Sequence, residues 1–248
     1  MIRRACWPSP LASVLAAVLV VAVFAPGCAW AAGASDDDQD KVSRMLAMAD
    51  FNRDGIADIV EADLSGVLTV SVGQADGTFK RIVLGPVLGH DPRAIVAGDF
   101  NRDGNPDVIV GDDDGSLKLF LGDGTGNLAV VGDVARLESV VSIAVADFNH
   151  DGIPDIAVSD WRASSVTLLM GAGNGSFQRG WSFPLRMPGT VAQVAAADFN
   201  GDGIVDLAVT YEGEDGYTFE VMLGNGDGTF TFAPKLSFVK DPNSHCAT

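Results

Sequence analysis

One nine-residue segment occurs four times in this chain. The copies are Asp50-Phe51-Asn52-Arg53-Asp54-Gly55-Ile56-Ala57-Asp58, Asp99-Phe100-Asn101-Arg102-Asp103-Gly104-Asn105-Pro106-Asp107, Asp147-Phe148-Asn149-His150-Asp151-Gly152-Ile153-Pro154-Asp155 and Asp198-Phe199-Asn200-Gly201-Asp202-Gly203-Ile204-Val205-Asp206. Their first residues lie 49, 48 and 51 positions apart. A period of that length marks a repeat architecture, in which no unit buries its apolar face alone and each stacks on its neighbours. A second element follows each copy: Gly73-Gln74-Ala75-Asp76-Gly77-Thr78-Phe79, Gly122-Asp123-Gly124-Thr125-Gly126-Asn127-Leu128, Gly171-Ala172-Gly173-Asn174-Gly175-Ser176-Phe177 and Gly224-Asn225-Gly226-Asp227-Gly228-Thr229-Phe230. Its Asp-Gly and Asn-Gly pairs accept the positive φ of tight hairpins, and the Phe that ends three copies is placed to return the chain to a core.

Four short apolar stretches separate these marks in each repeat; in the third they cover 141–146, 155–158, 166–170 and, more weakly, 181–183. With 29 glycines and 47% hydrophobic residues, such stretches predict strands, so each repeat reads as a four-stranded antiparallel unit in an all-β fold. The third strand alternates, as in Val67-Leu68-Thr69-Val70-Ser71-Val72. The strand before each Asp segment is rich in Ala and Gly (Ala94, Ala97, Gly98; Ala144, Ala146; Ala195, Ala196, Ala197), which suits a crowded inner position.

Arg3 and Arg4, an apolar stretch over 11–25 and the small-residue sequence Ala29-Trp30-Ala31 have the pattern of a signal peptide, with cleavage expected after Ala31. The apolar stretch is shorter than the ~20 residues of a spanning helix, so no membrane span is expected. The alternative is lipid anchoring through Cys28, although Pro26 breaks the usual lipobox. The organisation is then a signal peptide at 1–31, an acidic linker at 32–41, four repeats at 42–240 and a tail at 241–248. The protein is expected to be secreted or periplasmic. Of three cysteines only Cys246 remains after cleavage, so no internal disulfide holds the mature domain and bound ions are the natural substitute.

The pattern A-D-F-N-x-D-G-x-x-D-[IVL]-x-V followed by L-G-x-G-x-G-x-F resembles FG-GAP/VCBS repeats, the calcium-loop blades of integrin α-type propellers and of some lectins. The resemblance covers roughly residues 42–240, with Gly98 in place of the leading Ala in the second copy. It implies a β-propeller-like fold of four four-stranded blades, either a closed four-bladed ring or a partial propeller, since family propellers often have seven.

The loops also suit calcium by their own chemistry. A hard cation takes six to eight oxygen ligands in a flexible cage. Asp50, Asn52 and Asp54 offer side-chain oxygens at alternate positions, Gly55 allows a sharp turn, Ile56 offers its carbonyl and Asp58 closes the set. The corresponding ligands are Asp99, Asn101, Asp103, Asn105 and Asp107; Asp147, Asn149, Asp151, Ile153 and Asp155; and Asp198, Asn200, Asp202, Ile204 and Asp206, giving up to four ions. An EF-hand needs Glu at loop position 12, where these loops have Glu61, Val110, Val158 and Val209, and dockerin-type loops lead into helices where these lead into strands. Twelve of the 33 acidic residues lie in the loops, and the net charge of −17 disfavours nucleic acid as a partner.

No nucleophile-elbow or paired acid–base pattern announces an enzyme. His150 sits at a variable loop position with its side chain expected to point outward, while His245 and Cys246 lie in the tail; His90-Asp91-Pro92-Arg93 reads as a loop between units. Trp161, Arg162, Trp181, Tyr211 and Tyr217 set aromatic beside charged groups in the variable loops and are the candidate ligand-binding residues. The expected function is a secreted, calcium-binding module for glycan or extracellular-protein recognition or adhesion. The alternatives are a structural or accessory subunit, oligomeric or partnered, that completes a larger propeller, and an extracellular carbohydrate-active enzyme.

Overall fold

The computed structural model describes residues 45–86, 91–184, 190–213 and 216–233; at 86, 190–192 and 212–218 the backbone alone where described. The expected signal peptide, Cys28, acidic linker, His90, the outer parts of the first and last repeats (42–44 and 234–240), the tail with His245 and Cys246, and the side chain of Tyr217 lie outside them.

The described residues form sixteen strands and no helix. The first blade is β1 (Met45–Ala49), β2 (Asp58–Ala62), β3 (Val67–Gly73) and β4 (Phe79–Pro86); the second is β5 (Pro92–Gly98), β6 (Asp107–Asp112), β7 (Ser116–Gly122) and β8 (Leu128–Arg136). The third is β9 (Val140–Ala146), β10 (Asp155–Asp160), β11 (Ser165–Gly171) and β12 (Phe177–Pro184), and the fourth is β13 (Thr190–Ala197), β14 (Asp206–Gly213), β15 (Gly216–Gly224) and β16 (Phe230–Phe232). Each blade is a four-stranded antiparallel sheet in sequence order, and none closes into a barrel. This is the all-β, propeller-like arrangement that the repeat predicts. Because each strand reverses the last, the Asp segments (strand one to two) and the Gly-rich hairpins (strand three to four) all lie at one end of the blades.

The first strands adjoin in the order β1, β5, β9, β13, as their small residues require: at Gly98 an added Cβ would lie 2.9 Å from the Phe100 ring. Sandwiching between blades also alters one expectation. The alternation of β3 does not separate a wet face from a dry one, since Leu68, Thr69 and Val70 are all buried, and β6 and β10 are buried throughout. Both faces of these strands meet apolar layers. Three interlocking cores result, the first joining Val60, Leu68 and Val70 of blade one to Val108, Val110 and Phe120 of blade two. The same positions recur between blades two and three (Ile109, Leu119 against Ile156, Leu169) and three and four (Ala157, Leu168 against Leu207, Met222).

No comparable packing joins β13 back to β1 among the described residues. Among the described residues the four blades therefore make an open arc.

Candidate cation-binding loops

Each Asp segment folds into the same hydrogen-bonded loop. In the first, Asp50 Oδ1 accepts the Asp54 N–H at 3.0 Å and Oδ2 accepts that of Gly55 at 2.8 Å. Asn52 Oδ1 also accepts the Asp54 N–H, and its amide donates to Asp54 Oδ2 at 2.8 Å, while Asp54 Oδ1 accepts from Ile56 N–H. The second, third and fourth loops repeat these bonds at Asp99, Asn101 and Asp103, at Asp147, Asn149 and Asp151, and at Asp198, Asn200 and Asp202. The sequence therefore gathers two carboxylates, the second exposed and the first at least partly so, and an Asn at one spot in every blade, beside the residues whose carbonyls were expected to contribute (Ile56, Asn105, Ile153, Ile204).

The turn is paid for in backbone conformation at two positions. Gly55, Gly104, Gly152 and Gly203 have φ between 77° and 85°, with open space where a Cβ would be. The variable position before each second carboxylate is also left-handed: Arg53 at 59°, Arg102 at 61°, His150 at 59° and Gly201 at 80°. Those side chains are exposed but do not simply point away. The Arg53 guanidinium donates through Nη1 to Asn105 Oδ1 of the next loop at 3.4 Å, and Arg53, Arg102 and His150 lie over Gly124, Gly173 and Gly226 of the next hairpin.

The last Asp behaves differently from the other two. Asp58, Asp107, Asp155 and Asp206 are fully buried. Asp58 Oδ2 accepts N–H groups of Phe51 at 2.8 Å and Asn52 at 3.3 Å, and Oδ1 accepts that of Gly73 at 2.8 Å. Asp107, Asp155 and Asp206 make the equivalent bonds to Gly122, Gly171 and Gly224. This carboxylate latches the loop to the hairpin, and only the lone pairs left over remain to be offered to a cation. The hairpin glycine is required for the latch: a Cβ on Gly122 would lie 2.1 Å from Pro106 O, and on Gly171 2.3 Å from Pro154 O. Among the described residues, no three His, Cys, Asp or Glu side chains converge as a metal cluster.

Burial pushes the Asp107 and Asp155 carboxyls up to about 6 despite their N–H partners. Asp103 and Asp198 are held below the ordinary carboxylate range, first by the N–H groups of Asn105 and Gly203 respectively. The second loop thus pairs an outward carboxylate that stays charged, Asp103, with an inward one whose charge is costly, Asp107. The outward donors are all oxygen, which fits a hard cation such as calcium better than zinc, whose structural sites are built mainly from Cys sulfur and His nitrogen.

The model of an FG-GAP-like repeat matches residues 50–110, 99–158 and 155–209, and that of an FG-GAP repeat matches 190–230. The chain belongs to the FG-GAP repeat family. No curated protein matches it. Among solved structures, a crystal structure of BBS1N in complex with ARL6DN, soaked with lead, is similar with a TM-score of 0.46 and 17% identity. That likeness covers 77% of this chain and 52% of the other, so the chain spans about half the length of that relative.

The candidate ligand-binding residues are not one site. Trp161 (46% exposed) and Arg162 sit in the β10–β11 turn, and Trp181 (60% exposed) lies on β12 at a bulge, stacked on Phe183 at 6.0 Å. Arg162 donates to Glu138 O and pairs with Asp113. Tyr211 is not a surface residue: it is 1% exposed within the core between blades three and four, and its hydroxyl donates to Glu220 at 2.8 Å. Sequence reasoning read it from its charged neighbours, whereas its place on β14 is the apolar face. What sequence reasoning missed is the latch, although the invariant pairing of the last loop Asp with the first hairpin Gly was visible in all four copies.

Proposed function

We propose that this FG-GAP protein is a secreted module whose four loops each bind calcium and whose blades present a recognition surface for a glycan or an extracellular protein. The observation that carries the reading is the fourfold recurrence of two carboxylates, the second exposed and the first at least partly so, and an Asn in one hydrogen-bonded loop at one end of every blade. Asp50, Asn52, Asp54 and the Ile56 carbonyl, with the spare lone pairs of Asp58, would hold the ion in the first loop, and their counterparts in the others. The ion would supply positive charge where the outward carboxylates otherwise repel one another.

The consequence for the protein is mechanical. Each of the first three loops also docks its blade on the next: Phe51 O accepts the Gly126 N–H, Phe100 O that of Gly175, and Phe148 O that of Gly228, each at 3.0 Å. Ordering the loop orders this contact, and a rigid arc holds Trp161 and Trp181 for a ligand to stack on. The repeat family is generally non-enzymatic, and no catalytic role is proposed. Isothermal titration of chelator-stripped protein with calcium tests the first half; more than one site per chain is expected, and no heat with a folded protein would refute it. A glycan array read in millimolar calcium tests the second half. Binding that Trp161→Ala or Trp181→Ala abolishes supports a glycan ligand; a blank array moves the reading to a protein ligand.

A further inference from the structure

The contact between blades is made three times by the same parts, and among the described residues both halves of a fourth contact lie open at the ends of the arc. At each internal contact the loop Phe is buried, with Phe51 and Phe100 at 1% and Phe148 at 2% exposure. It packs on the residue that ends the next hairpin: Phe100 meets Phe177 edge-to-face at 5.7 Å and Phe148 meets Phe230 at 5.8 Å. On the fourth blade Phe199 is 50% exposed, Ala195 and Ala197 beside it are exposed, and among the described residues no hairpin N–H reaches its carbonyl. On the first blade the hairpin-ending Phe79 is 51% exposed. The Gly77 N–H, whose counterparts reach across to a preceding blade, bonds within its own turn to Gln74 O at 2.9 Å. Leu46 (53%) and Met48 (47%) stand where the second blade has the covered Ile95 and Ala97.

We propose that the fourth blade of one chain docks on the first blade of a second copy, head to tail, with Phe199 seated on the Gly77–Phe79 hairpin as Phe148 is seated on Gly228 and Phe230. A head-to-tail contact is heterologous, and two made reciprocally close a discrete ring. The occupant is a second copy because the two free faces are the two halves of the contact this chain already makes between its own blades. The joint is weaker than the internal ones: Glu61, paired with Arg81, and Ser71 occupy positions held by Val110 and Phe120 in the second blade, so two apolar contacts are replaced by polar ones. Assembly is therefore reversible on dilution, and it is independent of what the surface recognises.

Light scattering on the purified full chain in millimolar calcium, over a dilution series, tests the proposal. The expected mass is twice that of the monomer at high concentration, falling on dilution. Phe199→Ser and Phe79→Ser, both at exposed positions and checked for an unchanged far-ultraviolet spectrum, should each be monomeric. An equimolar mixture of the two should regain the dimer, because one intact contact remains between them. Wild-type protein that is monomeric throughout overturns the proposal. So does a dimer that survives either substitution, or two monomeric variants that fail to complement, which would mean symmetric pairing of like faces.

Discussion

Within each loop two carboxylates face outward and one faces inward, and the difference separates two kinds of mutant. Asp107→Ala leaves the N–H groups of Phe100, Asn101 and Gly122 without their acceptor in a buried place. Unsatisfied buried donors cost about 1–3 kcal/mol each, so a loss of about 3 kcal/mol is expected in chelator, before any loss of calcium binding is added. Asp103→Ala removes an exposed carboxylate and should cost about 1 kcal/mol or less in chelator while removing one calcium site from the titration. Urea melts of both variants in chelator check the contrast; equal destabilisation would mean the inward carboxylate is no latch. A third acid lies at the opposite end of blade two. Asp112 is 5% exposed, its Oδ1 has no hydrogen bond, and burial together with neighbouring Asp114 pushes it up to about 7. Its folded-state value lies above its unfolded one, so folding favours the protonated form. The stability it adds below pH ~4 is lost as pH rises through about 7. Asp112→Asn keeps a neutral side chain of the same shape, and should raise stability at pH 8 by about 1–2 kcal/mol while leaving it unchanged at pH 4. Thermal melts at the two pH values read this directly.

At the scale of the blade, energy sits where one blade covers the next. Phe148→Ala opens a cavity in the core between blades three and four and should cost about 3–5 kcal/mol, whereas Phe199→Ala, at the equivalent position of the last blade, should cost about 1 kcal/mol or less in the monomer. Denaturant melts at low protein concentration measure both. The sequence treats these two residues identically, each preceded by Asp and followed by Asn, so nothing local tells them apart. What differs is whether a neighbouring blade covers the residue among the described ones. The same limit explains Phe79, expected to return to the core and found half exposed, and Tyr211, expected on the surface and found inside. Element type, order and antiparallel pairing were legible because turn residues and apolar stretches are local signals. Burial at the ends of the arc and at blade-to-blade contacts is set by neighbours distant in sequence. The loop donors were legible as a set, but the inward turn of Asp58 depends on Gly73, fifteen residues away and donating its N–H.

Over the whole molecule, the loops concentrate negative charge at one end of the arc, and two explanations of any calcium effect must be separated. A chain with a net charge of −17 is destabilised by self-repulsion, and any salt relieves that by screening. Specific sites act differently: an ion that binds only the folded loop stabilises by RT ln(1+[L]/Kd), about 2.7 kcal/mol per site at a hundredfold excess over Kd. At that excess a single filled site should raise the melting temperature by about 5–10 °C in a chain of this size, and several filled sites by more. Sodium chloride matched to the ionic strength of millimolar calcium should leave it within about a degree of the chelator value. Differential scanning calorimetry in chelator, in sodium chloride and in calcium reads all three states. Magnesium makes the sharper control, since it demands a tighter octahedral shell and dehydrates reluctantly. Loops built from two outward carboxylates, an amide and a carbonyl in a wide turn should respond to it far less than to calcium. Equal rises in magnesium, calcium and matched sodium would reduce the loops to a screened acidic surface.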